Sequence, residues 1–269
     1  MSENNLKIGF FQADLIWQNP EKNREMFEKK FTEKINGHDL VILPEMFTTG
    51  FSMQNEEFAE EYNGESVAWL LKESQKHRCL IAGSIIFKEN NNFYNRFLFA
   101  FPDGKLLHYD KRHLFRLADE HLHYKEGTKK LIFEFHGWKI CPLICYDLRF
   151  PVWSRNTWNG DKADYDLLIY TANFPAARSL AWKTLLRARA IENLSYCIGV
   201  NRRGTDGKGI FYSGDSAAID FTGEPLCELG EEQDFGEITL EKDKLEEYRM
   251  RFPAYKDADI FNLSITQKS

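Results

Sequence analysis

A layered α/β protein with mixed sheets is the fold class this sequence predicts, and three observations predict it. Apolar runs of strand length alternate with segments of helical periodicity along most of the chain. Hairpins interrupt that alternation, which a purely parallel barrel would not allow. Each helical segment carries one apolar face, so the helices should cover sheets rather than form their own bundle.

The elements follow in order. Leu6 to Gln12 reads as a first strand. Asn19-Pro20-Glu21 supplies an N-cap with proline at the first helical position, and Phe27, Phe31 and Ile35 then recur at helical spacing up to Gly37. Leu40 to Leu43 is a second buried strand, ending at Pro44-Glu45. Val67, Leu70 and Leu71 mark a second helix that leads into a strand from Leu80 to Phe87. The turn Glu89-Asn90-Asn91-Asn92 precedes a strand from Phe93 to Phe101, and Pro102-Asp103-Gly104-Lys105 turns the chain into the strand that carries Lys111. Leu131 to Phe135 and Trp138 to Ile144 form a hairpin through His136-Gly137. Asp166 to Thr171 is another strand, and Leu180, Thr184, Leu185, Ala188 and Ile191 lie on a third long helix. Tyr196 to Val200, Ser216 to Phe221 and Phe235 to Leu240 complete the strands, with a tight turn at Thr222-Gly223-Glu224-Pro225. A last helix runs from near Glu241 to about Met250.

At 269 residues the chain fits one domain spanning 1–269, near the ceiling of roughly 250–300 residues for a single core. Apolar content of 43% suffices for an ordinary core, and 22 phenylalanines make it aromatic-rich. A net charge of -6 argues against a nucleic-acid partner, which needs a basic stripe. The polar start Met1-Ser2-Glu3-Asn4-Asn5 lacks an apolar leader core, and no window approaches the ~18 apolar residues of a membrane span. The five cysteines show no disulfide framework spacing. A cytoplasmic location follows as the expectation, with a thiol free for chemistry.

Three apolar runs end in reactive side chains. Val41-Ile42-Leu43-Pro44-Glu45 delivers a carboxylate, Leu106-Leu107-His108-Tyr109-Asp110-Lys111 an amine, and Leu143-Ile144-Cys145-Tyr146-Asp147 a thiol. Together they are the parts for acyl transfer through a thioester. A thiol is only a few per cent ionised near neutral pH, so Cys145 requires a base. Glu45, desolvated at a strand end, suits that task and could return the proton to leaving ammonia. Lys111 suits the tetrahedral oxyanion, together with a backbone N–H after the thiol, that of Tyr146. Such donors are worth about 2.7–4 kcal/mol each.

The runs Leu43-Pro44-Glu45-Met46-Phe47, Asp110-Lys111-Arg112-His113-Leu114-Phe115 and Cys145-Tyr146-Asp147-Leu148-Arg149-Phe150-Pro151 resemble the nitrilase superfamily of carbon–nitrogen hydrolases. They stand in that family's order with similar gaps, and the likeness extends from the first strand through Gly214-Asp215-Ser216 to the final strands. The resemblance implies a Glu–Lys–Cys triad at Glu45, Lys111 and Cys145, and a four-layer αββα sandwich that pairs into a homodimer through its helical layers. It also implies a second glutamate that holds the lysine and the substrate amide. Glu120 stands where that residue falls before Gly127, with Glu126 as the rival. The chain is most similar to the omega-amidase branch, on Lys111-Arg112-His113-Leu114-Phe115, Glu120-His121-Leu122-His123-Tyr124 and Tyr170-Thr171-Ala172-Asn173-Phe174-Pro175. That branch hydrolyses the terminal amide of 2-oxo acid amides such as 2-oxoglutaramate and 2-oxosuccinamate. It implies a small-molecule amide substrate and neither cofactor nor metal.

A carboxylate-bearing substrate needs a further cation. Arg149 is the candidate, since a planar guanidinium suits a carboxylate, with pairing to Asp147 or another buried acid as its structural alternative. Phe174 could wall the pocket or simply pack. Cys79, Cys141 and Cys197 lie in apolar stretches and read as core. His121 and His123 lack partners at zinc-site spacing, and no nucleotide-binding glycine motif occurs. The alternatives in function are an N-carbamoyl or aliphatic amide hydrolase on the same scaffold, or a catalytically silent interaction protein.

Overall fold

The computed structural model describes residues 4–259 together with 261, 263 and 264. Twelve strands make two six-stranded sheets. The first holds β1 (Asn5–Phe11), β2 (Leu40–Ile42), β3 (Leu80–Glu89), β4 (Asn92–Ala100), β5 (Leu106–Asp110) and the last strand in sequence, β12 (Phe235–Glu241). The second holds β6 (Phe133–Phe135), β7 (Trp138–Ile144), β8 (Leu167–Ala172), β9 (Tyr196–Asn201), β10 (Ala217–Ile219) and β11 (Pro225–Glu228). Their orders are β12-β1-β2-β3-β4-β5 and β11-β10-β9-β8-β7-β6.

Each sheet has three parallel strands in its middle, β1-β2-β3 in one and β7-β8-β9 in the other, with antiparallel strands outside them. Period-two alternation explains the layering. Leu6, Ile8, Phe10, Leu40, Ile42, Phe97 and Phe99 face the second sheet and share one core with its Ile140, Leu167 and Ile169. Phe11, Val41, Ile81 and Leu98 point the other way, onto Phe27 and Phe31 of α1 (Pro20–Lys34) and Val67 and Leu70 of α2 (Glu65–His77). Trp182, Leu186 and Ala190 of α3 (Ser179–Asn193) join the core on the second sheet. The layers are therefore helix, sheet, sheet, helix.

Local chemistry set these elements as the sequence suggests. The Asn19 side chain accepts from the Lys22 amide and caps α1, whose first residue is Pro20. Asn90 and Asn91, at φ 50° and 59°, turn β3 into β4. His136 and Gly137, at φ 48° and 74°, turn β6 into β7. Two-residue hairpins with both central residues at positive φ match the twist of the strands they join. Three expectations differ in detail. Helix α1 stops at Lys34, and Gly37 (φ 67°) serves the turn beyond it. The Pro225 turn opens directly into β11, where proline at the first position of an edge strand costs no ladder bond. A small hairpin, Arg203–Thr205 with Phe211–Ser213, lies where no strand was expected. Among the described residues no helix is long and apolar enough to cross a membrane.

Candidate active site

Three of the four catalytic side chains proposed from sequence follow strand ends, and the fourth, Glu120, begins the one-turn helix Glu120–His123. β2 leads to Glu45, β5 to Lys111, β7 to Cys145 and β8 to Asn173. β7 and β8 run parallel with Ile144 opposite Thr171, so Cys145 emerges beside the segment that holds Asn173. Thr171 donates to the Leu43 carbonyl at 2.8 Å and ties the second sheet to the Glu45 strand. Cys145 has φ 44°, a left-handed conformation uncommon for a residue with a Cβ, at the start of a 3-10 turn, Cys145–Arg149. The bend takes the thiol off the strand axis.

Lys111, Glu45 and Glu120 form one buried cluster. Lys111 Nζ lies 2.9 Å from Glu45 Oε1 and 2.9 and 3.0 Å from the two Glu120 oxygens. All three side chains are sealed from solvent. Asn95 donates to Glu45 Oε1 at 2.7 Å, and the Asn173 amide donates to Glu45 Oε2 at 2.7 Å. The Asn173 side chain also holds the Glu45 carbonyl at 2.7 Å. The Phe115 amide donates to Glu120 at 2.5 Å. These donors fix both carboxylates, and a buried charge is tolerated only when held this way. Gly127 is required nearby. Its amide donates to the Lys111 carbonyl at 2.8 Å, and a Cβ there would lie 2.1 Å from the Asp110 carbonyl oxygen.

The electrostatics follow from burial and charge. Burial alone would push the Lys111 ammonium down, but Glu120 and Glu45 outweigh it, and the amine sits above the usual lysine range. Burial, reinforced by the Glu45 charge and opposed by Lys111, pushes the Glu120 carboxyl up. Burial, then Glu45, pushes the Cys145 thiol well above the ordinary range, with Lys111 pulling the other way. The resting nucleophile is therefore a thiol that needs its proton removed. Cys79 and Cys141 are buried core thiols, each pushed up to about 12 chiefly by desolvation.

Asp147 links the thiol turn to the lysine loop. Its Oδ2 accepts from the Ile144 amide at 3.0 Å and the Tyr109 hydroxyl at 2.8 Å. Its Oδ1 accepts from the His113 amide at 2.9 Å and takes His113 Nδ1 at 2.7 Å. An ionised carboxylate only accepts, so Nδ1 carries the imidazole proton. Asp147 thus spans one residue before Cys145 and two after Lys111. It does not pair with Arg149, which corrects the structural alternative weighed for that arginine.

Cys145 and Lys111 open into a cavity of about 180 Å³. Tyr146 follows the thiol and lines the cavity, Phe174 walls it, and Arg149 stands exposed on its lining. Phe51 covers the lysine, its ring 5.1 Å from Nζ. Glu120 occupies the lysine cluster, whereas Glu126 lines outer grooves. Sequence reasoning did not assign Asn95, Asn173, Asp147 and Arg178. The available signals were polar residues inside or directly after apolar strands, namely Asn95 within β4 and Asn173 after Tyr170-Thr171-Ala172.

A family model for carbon–nitrogen hydrolases matches residues 7–250. The chain belongs to the carbon–nitrogen hydrolase family and is a hydrolase acting on carbon–nitrogen bonds. Among its relatives, "Omega-amidase YafV" of Escherichia coli K12 is 47% identical over 259 residues, covering 96% of this chain and 98% of the relative. "2-oxoglutaramate amidase" of Bacillus subtilis is 36% identical, covering 93% and 96%. The crystal structure of XC1258 from Xanthomonas campestris, a CN-hydrolase superfamily protein with an arsenic adduct in its active site, superposes with TM-score 0.94 at 44% identity, covering 97% and 99% of the two chains.

Proposed function

We propose that this protein is a cysteine-dependent amidase of the omega-amidase type, hydrolysing the terminal amide of a small 2-oxo acid amide such as 2-oxoglutaramate or 2-oxosuccinamate. One observation carries the reading: a buried Glu45–Lys111–Glu120 cluster lies beneath the cavity into which Cys145 opens. The names of the relatives at 47% and 36% identity support the substrate class.

The chemistry runs in two halves. Glu45 takes the Cys145 proton as sulfur attacks the amide carbon, and the carbonyl electrons move onto oxygen. Lys111 and the Tyr146 N–H hold that oxyanion, fixed donors needing no reorganisation as charge develops. Collapse re-forms the carbonyl and breaks the C–N bond. The proton on Glu45 passes to the departing nitrogen, releasing ammonia and leaving a thioester on Cys145. Water then gives a proton to Glu45 and attacks the thioester. The second collapse expels sulfur, which regains its proton, and frees the carboxylic acid. Glu120 holds Lys111 in place and offers an acceptor for the amide N–H.

Ammonia release from a panel of amides tests the reading: 2-oxoglutaramate, 2-oxosuccinamate, N-carbamoyl amino acids and neutral aliphatic amides. The highest kcat/KM is expected on the 2-oxo acid amides. A preference for N-carbamoyl amino acids would move the protein to the other amidase class, and no turnover on any amide would favour a silent interaction protein. The reading includes a cytoplasmic homodimer, for which light scattering at twice the 31.6 kDa chain mass is the check on assembly.

A further inference from the structure

We infer that Arg178, acting with Arg149, binds the substrate's carboxylate and sets the preference for acidic over neutral amides. This rests on the amidase reading above and names a residue for which neither the motifs nor the comparisons supply a role.

Both guanidiniums line the cavity that Cys145 and Lys111 open into. The charged residues of that lining are Lys111, Arg149 and Arg178, with no carboxylate among them. Lys111 is already matched by Glu45 and Glu120 behind it. The field in the open part of the cavity therefore comes from the two arginines. Neither side chain makes an ion pair or hydrogen bond with any described residue. Each instead lies against an aromatic wall: Arg149 Cζ is 5.7 Å from the Phe174 ring centroid, and Arg178 Cζ is 5.4 Å from that of Phe115. A ring contact leaves the planar fork of N–H donors free, and that fork matches a carboxylate in bidentate geometry.

Placement ties Arg178 to the reacting centre. It ends the 3-10 turn Ala176–Arg178, directly before α3, and is half-buried. The chain reaches that turn from Asn173, whose backbone amide holds Glu45. Phe174 between them is pinned at both backbone groups by Asn201, at 2.7 and 2.9 Å. The guanidinium therefore hangs on a short, anchored segment that also fixes the proposed base. An amide whose far end carries a carboxylate would meet the arginines while its carbonyl faces Cys145. A neutral amide would leave both forks to water. By contrast, each of the three guanidinium nitrogens of the buried Arg249 already donates, one to Asp166 and two to backbone carbonyls.

Kinetics of Arg178→Met and Arg178→Lys test this on the full chain, with 2-oxoglutaramate, an N-carbamoyl amino acid and butyramide as substrates. A hydrogen bond to a charged group is worth about 1.5–3 kcal/mol, so the methionine variant should raise KM for the carboxylate-bearing amide roughly 10- to 150-fold. Its kcat should stay within about threefold and its KM for butyramide within about twofold. The lysine variant should recover part of the loss. An unchanged KM on the acidic amide, or an equal loss on butyramide, overturns the assignment. If the wild type cleaves the N-carbamoyl amino acid but not 2-oxoglutaramate, the omega-amidase reading fails, and the Arg178 effect is read on the former. If the wild type prefers butyramide about tenfold over both acidic amides, the arginine assignment and the omega-amidase reading fail together, and an aliphatic amide hydrolase on the same scaffold takes their place.

Discussion

Replacing Asp147 by asparagine tests whether the bridge between the thiol turn and the lysine loop is a working part of the site. The carboxylate is fully buried and accepts four contacts, two on each oxygen, at 2.7–3.0 Å. Asparagine keeps the shape but turns one oxygen into a donor. Toward His113 it would face the amide and Nδ1–H, and toward Ile144 it would face that amide and the Tyr109 hydroxyl. Tyr109 cannot simply reverse, because its oxygen already accepts from Trp153 Nε1 at 2.9 Å and the Arg112 amide at 3.2 Å. Either orientation loses two bonds to a charged acceptor, about 1.5–3 kcal/mol each, or roughly 3–6 kcal/mol in total. At about 2–4 °C per kcal/mol for large domains, the melting temperature should fall by roughly 6–24 °C. A displacement of ~1 Å at a reacting group can cost about 100-fold in rate, so kcat should fall by about that factor with KM little changed. Calorimetry and steady-state ammonia release are the assays. Tyr109→Phe loses the bond to the same carboxylate and strips the acceptor from Trp153 Nε1 and the Arg112 amide, so it too should destabilise, by at least about 3 kcal/mol. A melting temperature within 2 °C of wild type (~) and kcat within threefold (~) for Asp147→Asn would refute the reasoning.

Glu45→Gln should cut amide turnover by about 10²- to 10⁴-fold, the usual share of a general base. The Glu45 charge helps hold the thiol proton on, so the same variant should shift the pH midpoint of Cys145 alkylation by iodoacetamide downward; an upward shift would contradict that electrostatic order. Asp166 supplies an acid-side prediction. Its burial opposes ionisation, but Arg249, the Lys139 amide and Lys242 outweigh that and hold the carboxyl below the usual range. A depressed folded value gives stability that is present above the unfolded value of about 3.9 and lost as pH falls through the folded one. Arg249→Met should therefore move acid unfolding, followed by circular dichroism, to higher pH, and an unchanged midpoint would remove the pair from the acid stability of the fold.

Much of this architecture was legible because its signals are local. An apolar run that breaks into a charged residue marks a strand end, and Glu45, Lys111 and Cys145 could each be located that way. Asn19-Pro20 and His136-Gly137 carry their own backbone geometry, so the helix start and the hairpin followed directly. The hairpin Arg203–Thr205 with Phe211–Ser213 was not legible, since three-residue strands containing arginine, glycine and serine show no alternation. Asn95 and Asn173 escaped for a different reason. They bond Glu45 across 50 and 128 residues of sequence, and a neutral amide in one strand says nothing about a carboxylate in another. Asp147 stood in plain view beside Cys145, but its partners lie 34 to 38 positions upstream as well as at Ile144. Nothing local in the sequence marks Arg178, and only its place on the cavity lining singles it out.

The most direct test of the account is amide turnover by Cys145→Ala with Glu45, Lys111 and Glu120 intact. The change removes one sulfur from a half-buried side chain at the core's edge whose hydrogen bond is weak, 3.9 Å to the Asn173 carbonyl, so the melting temperature should change little. Ammonia release from 2-oxoglutaramate should fall to background, because among the described residues no other thiol lines the cavity. Turnover near the wild-type rate in a folded alanine variant would contradict the thioester chemistry outright.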